Sequence, residues 1–315
     1  MKNKKNKTKT WFITGASSGV GHEFCKQLLE YGDNVVAVAR RIPDFTQENS
    51  LCLSVDVTKP EQIKNAIELT IKKFGSIDVL VNNAGITANV ACEHETLQHL
   101  KNLMEVNYFG TFNTINAIIP YFKEQNYGTI VNNTSMHGVS VRLWGSAYCS
   151  SKHALEALTG VVRLETQKFC RAMAFELGWF PGTELVKSGI HKIPKQLKEY
   201  QKLKTPYNII DDKKIIDKAV FTIINIIKNR EELPRHFMVG YDSIQKATID
   251  AKEILKNAKF SKKYLKYYSN YSNYSFAKKV FSFLFSIRNE KNNDIKRKVI
   301  TIVGLKIKFK TSIKK

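Results

Sequence analysis

Short segments dominated by apolar residues alternate with helical patterns along residues 10–240 of the chain. A strand that is apolar throughout is buried on both faces, and strands that alternate with helices pair in parallel. The pattern therefore predicts an α/β fold, a doubly wound parallel sheet with helices on both faces. The segments expected to form strands are Thr10–Thr14, Val35–Ala39, Leu51–Val55, Ile77–Val81, Thr129–Asn132, Ala172–Glu176 and part of Pro234–Gly240.

Several residues mark the expected helix ends. Gly32 and Gly75 each follow a helical pattern and suit the left-handed position that closes a helix. The run Thr58-Lys-Pro60-Glu61 predicts a capping box, with proline in the first turn of the next helix. Helices are also expected over 146–168 and 213–230, and a flap or short helices over 185–210.

The positive charge of the chain is concentrated at its two ends. The net charge of +22 divides into +5 over residues 1–10, +15 over 251–315 and only +2 over 11–250. Basic ends on a neutral centre indicate attraction to an anionic surface better than a fold that reads DNA. We therefore expect a basic N-terminal tail (1–10), a folded domain (11–258), a basic C-terminal extension (259–315) and no nucleic-acid partner.

The cysteines and the apolar runs limit the cellular location. The five cysteines are scattered and form no C-x-x-C pair, which argues against a disulfide framework and against a zinc site. No metal ligand is predicted. The chain has no apolar run before its first strand, and its longest apolar stretch is shorter than the roughly 20 residues of a spanning helix. These features predict a cytoplasmic protein, with the inner face of the membrane as a further location.

A glycine-rich turn follows the first expected strand and precedes a helix. Gly15, Gly19 and Gly21 permit a tight turn and a close approach of the backbone to a phosphate. The start of the helix supplies free N–H groups and the positive end of its dipole. The motif predicts a nucleotide site, and the alternative is a purely structural βα turn.

Tyr148 and Lys152 lie one helical turn apart and share a face of the expected helix. A nearby ammonium group lowers the pKa of a phenol from about 10 toward neutrality, and the tyrosine can then act as a general acid or base. Ser135 follows a strand and can reach the same point. The alternative is a solvated surface pair.

Together these motifs resemble the short-chain dehydrogenase/reductase family, in its smaller single-domain branch. The resemblance runs over 11–245 and implies a Rossmann fold. It also implies hydride transfer between a nicotinamide cofactor and a carbonyl or secondary alcohol. The motifs that carry it are Thr14-Gly15-x-x-x-Gly19-x-Gly21, Asp56-Val57, Asn82-Asn83-Ala84-Gly85, Asn107, Ser135 and Tyr148-x-x-x-Lys152.

The resemblance implies four catalytic roles. Tyr148 exchanges a proton with the substrate oxygen, and Lys152 holds the nicotinamide ribose and lowers the tyrosine pKa. Ser135 hydrogen-bonds the substrate oxygen as charge develops on it. Asn107 holds a water that relays protons to Lys152.

The resemblance also implies the cofactor contacts. The family's Pro-Gly after the sixth strand is replaced here by Leu177-Gly178 or displaced to Pro181-Gly182, which leaves the nicotinamide contact of Thr183 open. The implied contacts are Gly15, Ser17, Ser18, Gly19, Val20, Gly21, Asp56, Val57, Asn83, Ala84, Gly85, Tyr148, Lys152 and Thr183.

The end of the second strand predicts the type of cofactor. An acidic residue there would bind the ribose 2′-hydroxyl of NAD, but the strand ends in Arg40 and Arg41. Arginine suits a 2′-phosphate, so NADP(H) is favoured over NAD(H). The alternative is that both arginines are ordinary surface charges.

The remaining features concern substrate and partners. The residues that the resemblance places around the substrate pocket favour an apolar or amphipathic small molecule, although half of them can belong to the core. Family members commonly form homo-oligomers, which we expect here too. The residues expected to wall the pocket are Met136, His137, Leu143, Trp144, Trp179 and Phe180.

The C-terminal extension lies outside the resemblance. Phe276–Arg288 mixes basic and large apolar residues and suits a helix in a membrane interface, whereas residues 305–310 alternate like a strand. The segment is similar to short basic ends on bacterial glycosyltransferases and other surface-polysaccharide enzymes. The open alternatives are a peripheral membrane contact and a solvated basic extension.

A non-catalytic function is the rival hypothesis. The fold can serve as a nucleotide sensor, or as a scaffold that docks on the membrane through its tail. The joint presence of Asn107, Ser135, Tyr148 and Lys152 speaks against that hypothesis, because a sensor has no need of the whole set.

Overall fold

Seven parallel strands form one sheet in the order β3-β2-β1-β4-β5-β6-β7, as the alternation in the sequence predicted. The structure is a computed structural model that describes residues 8–179, 215–265, 285–292, 295–302 and 305–313. The seven strands are β1 Thr10–Thr14, β2 Asn34–Ala39, β3 Ser50–Ser54, β4 Val79–Asn82, β5 Thr129–Asn133, β6 Arg171–Leu177 and β7 His236–Val239.

The helices lie between the strands in sequence. A π-helical turn, Glu105–Phe109, joins two of them without a break. Short 3₁₀ turns cover Cys92–His94 and Met136–Gly138. The helices are α1 Gly19–Glu30, α2 Pro60–Phe74, α3 Leu97–Met104, α4 Gly110–Glu124, α5 Ser146–Thr166, α6 Ile215–Asn229 and α7 Tyr241–Leu265.

Both faces of the sheet are buried, which explains why its strands carry so few polar residues. Trp11 and Ile13 point to one side of β1 and pack with Phe24 of α1 and Ile223 of α6. Phe12 points to the other side, into a cluster formed largely by α2 and α4. Burial of each large apolar side chain contributes about 1.5–3 kcal/mol.

The observed helix ends agree with some of the sequence predictions. Gly32 follows the end of α1 with a φ of 78°, and Gly75 closes α2 with a φ of 82°, as expected. The predicted capping box is wrong, because the hydroxyl of Thr58 donates to Oδ1 of Asp56 at 2.8 Å. Lys59 is the residue that precedes α2, and its side chain makes no capping hydrogen bond.

The chain divides into two compact units, Met1–Ala247 and Thr248–Lys315. Residue 259, where the sequence predicts a boundary, lies within α7, and the division into a tail, a domain and an extension stays a prediction. The second unit contains an antiparallel sheet in the order β10-β9-β8, formed by β8 Phe285–Asn292, β9 Ile295–Ile302 and β10 Leu305–Ile313.

The C-terminal strands test the expectations for the tail. The strand expected over 305–310 is confirmed by β10. The helix expected over Phe276–Arg288 is wrong for its last four residues, because residues 285–288 pair with β9. The rest of that segment, and the flap expected over 185–210, lie outside the described residues. Within the described part of the chain, no helix has the length and apolar character needed to cross a membrane.

Candidate active site

A cleft of about 1350 Å³ opens at the carboxyl ends of the parallel strands. In an open α/β sheet, ligands bind at this edge where the strand order reverses, which here is between β1 and β4. Most of the predicted site residues line the cleft, namely Gly15, Ser17, Ser18, Gly19, Val20, Arg40, Asp56, Val57, Asn83, Ala84, Gly85, Ser135, Tyr148 and Lys152.

The glycine turn is shaped by close packing. Gly15 and Gly19 have φ values of 66° and 58°, a region that favours glycine. A Cβ on Gly15 would lie 2.8 Å from Cα of Ala84, and one on Gly21 would lie 2.5 Å from the backbone oxygen of Gly15. Ser18 precedes α1 and makes no side-chain cap, so the first N–H groups of the helix are left for a ligand such as phosphate.

Hydrogen bonds hold the ends of three strands in register around this turn. Oγ1 of Thr14 accepts from the backbone N–H groups of Asn83 and Ala84, at 2.9 and 3.0 Å. Nδ2 of Asn83 donates to the backbone oxygens of Thr14 and Gly15. Nδ2 of Asn133 in turn donates to Oδ1 of Asn83 at 2.8 Å. Asn83 therefore orients the turn as well as lining the cleft.

Basic side chains flank the far end of the cleft. Arg41 donates from its guanidinium to the backbone oxygen of Ser17 at 3.1 Å, which ties the end of β2 to the glycine turn. Burial acts to raise the pKa of Asp56, but two hydrogen bonds from Thr58 and the charge of Arg40 lower it below its ordinary value. Asp56 is therefore ionised near neutral pH.

The predicted catalytic pair lies on α5 and is buried. Nζ of Lys152 lies 5.9 Å from the centroid of the Tyr148 ring and donates to the backbone oxygen of Asn133 at 2.9 Å. Burial lowers the pKa of Lys152 to about 8, although the charge of Glu156 opposes this effect.

The tyrosine pKa differs from the sequence prediction. Burial raises the pKa of Tyr148 above its ordinary value, while a hydrogen bond with Ser135 and the charge of Arg142 act to lower it. The expectation that Lys152 lowers this pKa toward neutrality is wrong for the protein without ligands. Desolvation dominates, and the charge of Arg142 rather than that of Lys152 opposes it.

Ser135 meets Tyr148 as predicted. It precedes the 3₁₀ turn after β5, and its Oγ accepts from the backbone N–H of His137 at 3.1 Å. Its hydroxyl also acts to lower the pKa of Tyr148, which places the two side chains close together. A carbonyl oxygen placed between these two hydroxyl groups would receive two hydrogen bonds.

Asn107 is fully buried in the π-helical turn, behind the cleft rather than on its surface. Its Oδ1 accepts from the backbone N–H of Ile86 at 2.8 Å, and its Nδ2 donates to Ser151 at 3.0 Å. A Cβ on Gly85 would lie 3.3 Å from Oδ1 of Asn107 and 3.6 Å from Nζ of Lys152. Asn107 thus positions the chain beside Lys152, and its water relay remains a prediction.

The walls of the substrate end agree with the sequence in part. Met136, His137 and Trp179 line the cleft, whereas Leu143 and Trp144 do not. The backbone oxygen of Trp144 instead accepts from Val90, which holds this stretch against the neighbouring loop. Phe180 and Thr183 lie outside the described residues.

Comparison with known proteins decides the family. The family model described as short chain dehydrogenase matches residues 9–192, more than half of the chain. This protein belongs to the short-chain dehydrogenase family. An uncharacterized oxidoreductase of Staphylococcus saprophyticus is 36% identical over 166 residues, which are 50% of this chain and 68% of that relative. The first curated relatives are matched over 49% to 71% of their own lengths.

Solved structures of the family share the fold. A short-chain dehydrogenase from Streptomyces avermitilis has a TM-score of 0.67 and 27% identity, covering 85% of this chain and 99% of its own. A short-chain dehydrogenase from Burkholderia cenocepacia, solved in complex with NADP, has a TM-score of 0.62 and 24% identity, covering 80% and 96%.

Leu177 and Gly178 line the cleft at the end of β6, whereas Pro181-Gly182 lies outside the described residues, so the choice between the two alternatives stays a prediction. The next residue, Trp179, donates its backbone N–H to Oδ2 of Asp242 at 2.6 Å. A Cβ on Gly178 would overlap with the carboxylate of Asp242, so a larger residue at this position would displace that side chain. Asp242 thereby holds the start of the segment that follows β6.

A buried ionisable cluster behind α5 was missed by the sequence analysis. Nδ1 of His236 lies 2.8 Å from Oε1 of Glu176 and 3.1 Å from Oε2 of Glu156. One ligand atom from each residue lies within 4.8 Å of the others, close enough to hold a metal ion, although no metal ligand was predicted. The three residues lie on three different elements, so no spacing in the sequence signals them.

The ionisable groups of this cluster shift each other's pKa values. Burial acts to lower the pKa of His236, but the two facing glutamates raise it to about 9. Burial raises the pKa of Glu176 to about 8, although the hydrogen bond from His236 opposes the shift. At neutral pH the imidazole of His236 is therefore charged.

Proposed function

We propose that this protein is an NADP(H)-dependent oxidoreductase that interconverts a carbonyl group and a secondary alcohol. The observation that carries the proposal is that Ser135, Tyr148 and Lys152 meet at one end of a cleft whose other end is the glycine turn. Both ends lie on the same strand edge, so a dinucleotide and a small substrate can occupy the cleft together.

The residues present fit a nicotinamide dinucleotide. The close packing of Gly15 and Gly21 leaves no room for a Cβ and brings the backbone up to the phosphate position. The uncapped start of α1 offers N–H groups to a pyrophosphate. When bound, the nicotinamide would supply or accept the hydride.

The chain's own residues manage the proton. The hydroxyl of Tyr148 donates a proton to the carbonyl oxygen during reduction, or accepts one from the alcohol during oxidation. Ser135 hydrogen-bonds the same oxygen and stabilises the charge that develops on it. Lys152, held by the backbone oxygen of Asn133, would bind the nicotinamide ribose, while the Ser135 hydroxyl and the charge of Arg142 stabilise the phenolate that forms when the proton leaves.

The preference for NADP(H) rests on charge at the end of β2. No acidic residue stands there to bind a ribose 2′-hydroxyl, and Arg40 and Arg41 both line the cleft. Arg41 is already directed to the glycine turn through its bond to Ser17. A guanidinium group matches a phosphate in charge and geometry. The rival hypothesis, that both are ordinary surface charges, predicts equal affinity for NADPH and NADH.

The partners and the location follow as proposals. A homo-oligomer is supported by apolar side chains that are 43% to 69% exposed near and along α4 and α5, namely Phe109, Phe112, Val161 and Leu164. The cytoplasmic location and a membrane contact through the tail rest on the sequence argument. The sensor or scaffold hypothesis is disfavoured, because a sensor has no need of the buried Ser135, Tyr148 and Lys152 set.

The first experiment is a titration of the purified protein with NADPH and with NADH, followed by oxidation rates with a panel of ketones, aldehydes and keto-sugars. We expect tight binding of NADPH, weaker binding of NADH, and turnover of at least one compound. Tight binding with no turnover would favour the sensor hypothesis. If neither nucleotide binds, the proposed function is wrong.

A further inference from the structure

Two loops meet above Tyr148 and are fastened to each other. One follows β4 and the other precedes α5. The guanidinium of Arg142 donates to the backbone oxygen of Ala88 at 3.1 Å, to Oγ1 of Thr87 at 3.4 Å and to Oδ1 of Asn89. The backbone N–H of Val90 donates to the oxygen of Trp144 at 2.9 Å. Several hydrogen bonds therefore hold the Arg142 side chain in one position, whereas a free surface side chain would be mobile.

The backbone of the second loop adopts a rare conformation to make this arrangement. Trp144 has a φ of 57°, a left-handed value that bulky residues seldom adopt. Its buried Nε1 has no hydrogen-bond partner among the described residues. Strained residues persist where the surroundings hold them, and they cluster at ligand sites.

Arg142 brings a positive charge to the general acid. Its guanidinium lies 5.4 Å from the centroid of the Tyr148 ring and lines the cleft. Within the described part of the chain it forms no ion pair with a carboxylate. Two acidic residues line the cleft. Asp56 follows β3, and Glu105 begins the π-helical turn. The substrate end is therefore positive.

The neighbouring histidine adds no second charge. Burial and then the charge of Arg142 lower the pKa of His137 to about 3, so the imidazole is neutral near physiological pH. Apolar surface from Met136 and Trp179 completes this end of the cleft. Apart from the ammonium group of Lys152 beside Tyr148, a ligand here meets the guanidinium of Arg142, a neutral imidazole and apolar walls.

We propose that Arg142 binds a carboxylate of the substrate, and that the substrate is a short 2-oxo or 3-oxo acid or the corresponding hydroxy acid. The proposal rests on the proposed oxidoreductase function and names its substrate class. A guanidinium has five N–H donors, and the bonds to Thr87, Ala88 and Asn89 use three of them. Because the guanidinium lies so close to the Tyr148 ring, only a short spacer can join the carboxylate to the reacting carbonyl.

The test compares each acid with its own neutral methyl ester, using NADPH and a set of short 2-oxo and 3-oxo acids. The measured quantity is the ratio of kcat/KM for acid over ester. We expect the unmodified protein to prefer at least one acid by about tenfold or more, as a charge-assisted pair warrants. In Arg142→Met the ratio should fall to about one. Arg142→Lys should keep part of the preference, because the charge remains and the planar fork is lost.

A matched control separates charge from loop anchoring. Asn89→Ala removes one of the three hydrogen-bond partners of Arg142 and leaves the guanidinium in place. This variant should retain the acid preference even if its rates with both the acid and the ester fall. The proposal is overturned if the unmodified protein reduces esters as fast as acids, or if Arg142→Met keeps the preference. Reduction of neutral ketones without any acid preference would refute only the carboxylate site. If the protein does not bind NADPH and reduces no compound, both the carboxylate site and the proposed function are wrong.

Discussion

Lys152 donates a hydrogen bond from Nζ to the backbone oxygen of Asn133 at 2.9 Å, which joins α5 to the end of β5. The same Asn133 donates from its side chain to Asn83, and Asn83 orients the glycine turn. Lys152, which we propose to be catalytic, and the proposed phosphate site are therefore connected by two residues. This connection holds the proposed proton-transfer groups and the glycine turn in a fixed relation.

Tyr148→Phe should abolish turnover and leave NADPH binding intact. The substitution removes only the hydroxyl that exchanges the proton, and general acid–base groups contribute about 10²- to 10⁴-fold to rate. Steady-state rates and a fluorescence titration would measure the two effects separately. Full activity in this variant would exclude Tyr148 as the general acid or base.

Lys152→Met should remove activity and raise stability near neutral pH. Burial lowers the pKa of Lys152 from 10.5 to about 8, so the folded state binds this proton less tightly than the unfolded state. Burial of the charged lysine therefore lowers the free energy of unfolding by its full amount below about pH 8, and this effect disappears as the pH rises to 10.5. It amounts to roughly 3–4 kcal/mol at most, since each pKa unit is worth roughly 1.4 kcal/mol.

Urea unfolding of the lysine and methionine proteins across pH 7 to 10.5 would measure this difference. We expect the stability advantage of the methionine variant to shrink over that range. An advantage that stays constant with pH would mean that the lysine pKa is not lowered in the folded protein.

Replacement of Arg40 and Arg41 by alanine should weaken NADPH binding by about 10- to 100-fold while changing NADH binding little. The difference arises because only NADPH carries the 2′-phosphate, and a charge-assisted hydrogen bond contributes about 1.5–3 kcal/mol. Titration of both nucleotides into the double variant measures it. An equal loss for both would assign the arginines to the turn rather than to the phosphate.

His236→Leu should destabilise the protein by about 3–5 kcal/mol, because it leaves two buried carboxyl groups without their cation. The pKa of His236 is raised from 6.5 to about 9, so its contribution is full below about pH 6.5 and is lost as the pH rises through 9. Chemical unfolding from pH 6 to 9 would follow this loss.

A second variant tests the origin of that effect. Combined with His236→Leu, Glu156→Gln should recover part of the lost stability, because it removes the other buried carboxyl group that faces His236. No recovery would indicate that packing rather than charge accounts for the loss. Metal analysis of the unmodified protein serves as the control, since a bound ion would provide a different source of charge compensation.

Much of the fold could be predicted from local patterns. Each of the seven strands appears close to its expected place, because strands buried on both faces must be apolar throughout. Gly15 and Gly19 were recognisable because a positive φ and a close backbone approach restrict the choice of residue. Ser135, Tyr148 and Lys152 were recognisable through a motif, and the structure brings them together.

Other properties depend on contacts that sequence spacing does not encode. The predicted capping box does not form, because the hydroxyl of Thr58 donates its hydrogen bond to the carboxylate of Asp56. The prediction of a low pKa for Tyr148 was wrong, because burial of the phenol raises its pKa. The helical spacing predicts how far Tyr148 lies from Lys152, but it does not predict how deeply the side chain is buried.

Local backbone and side-chain preferences account for the layered sheet, the glycine turn and the helix that carries Tyr148 and Lys152, so these features can be predicted from the residues alone. Three contacts exist only in the folded chain: Lys152 donates to the backbone of Asn133, Arg142 lies beside Tyr148, and Glu156, Glu176 and His236 meet. These groups come from separate loops and strands. Their energies depend on burial and on through-space charge, which arise only once the sheet is assembled.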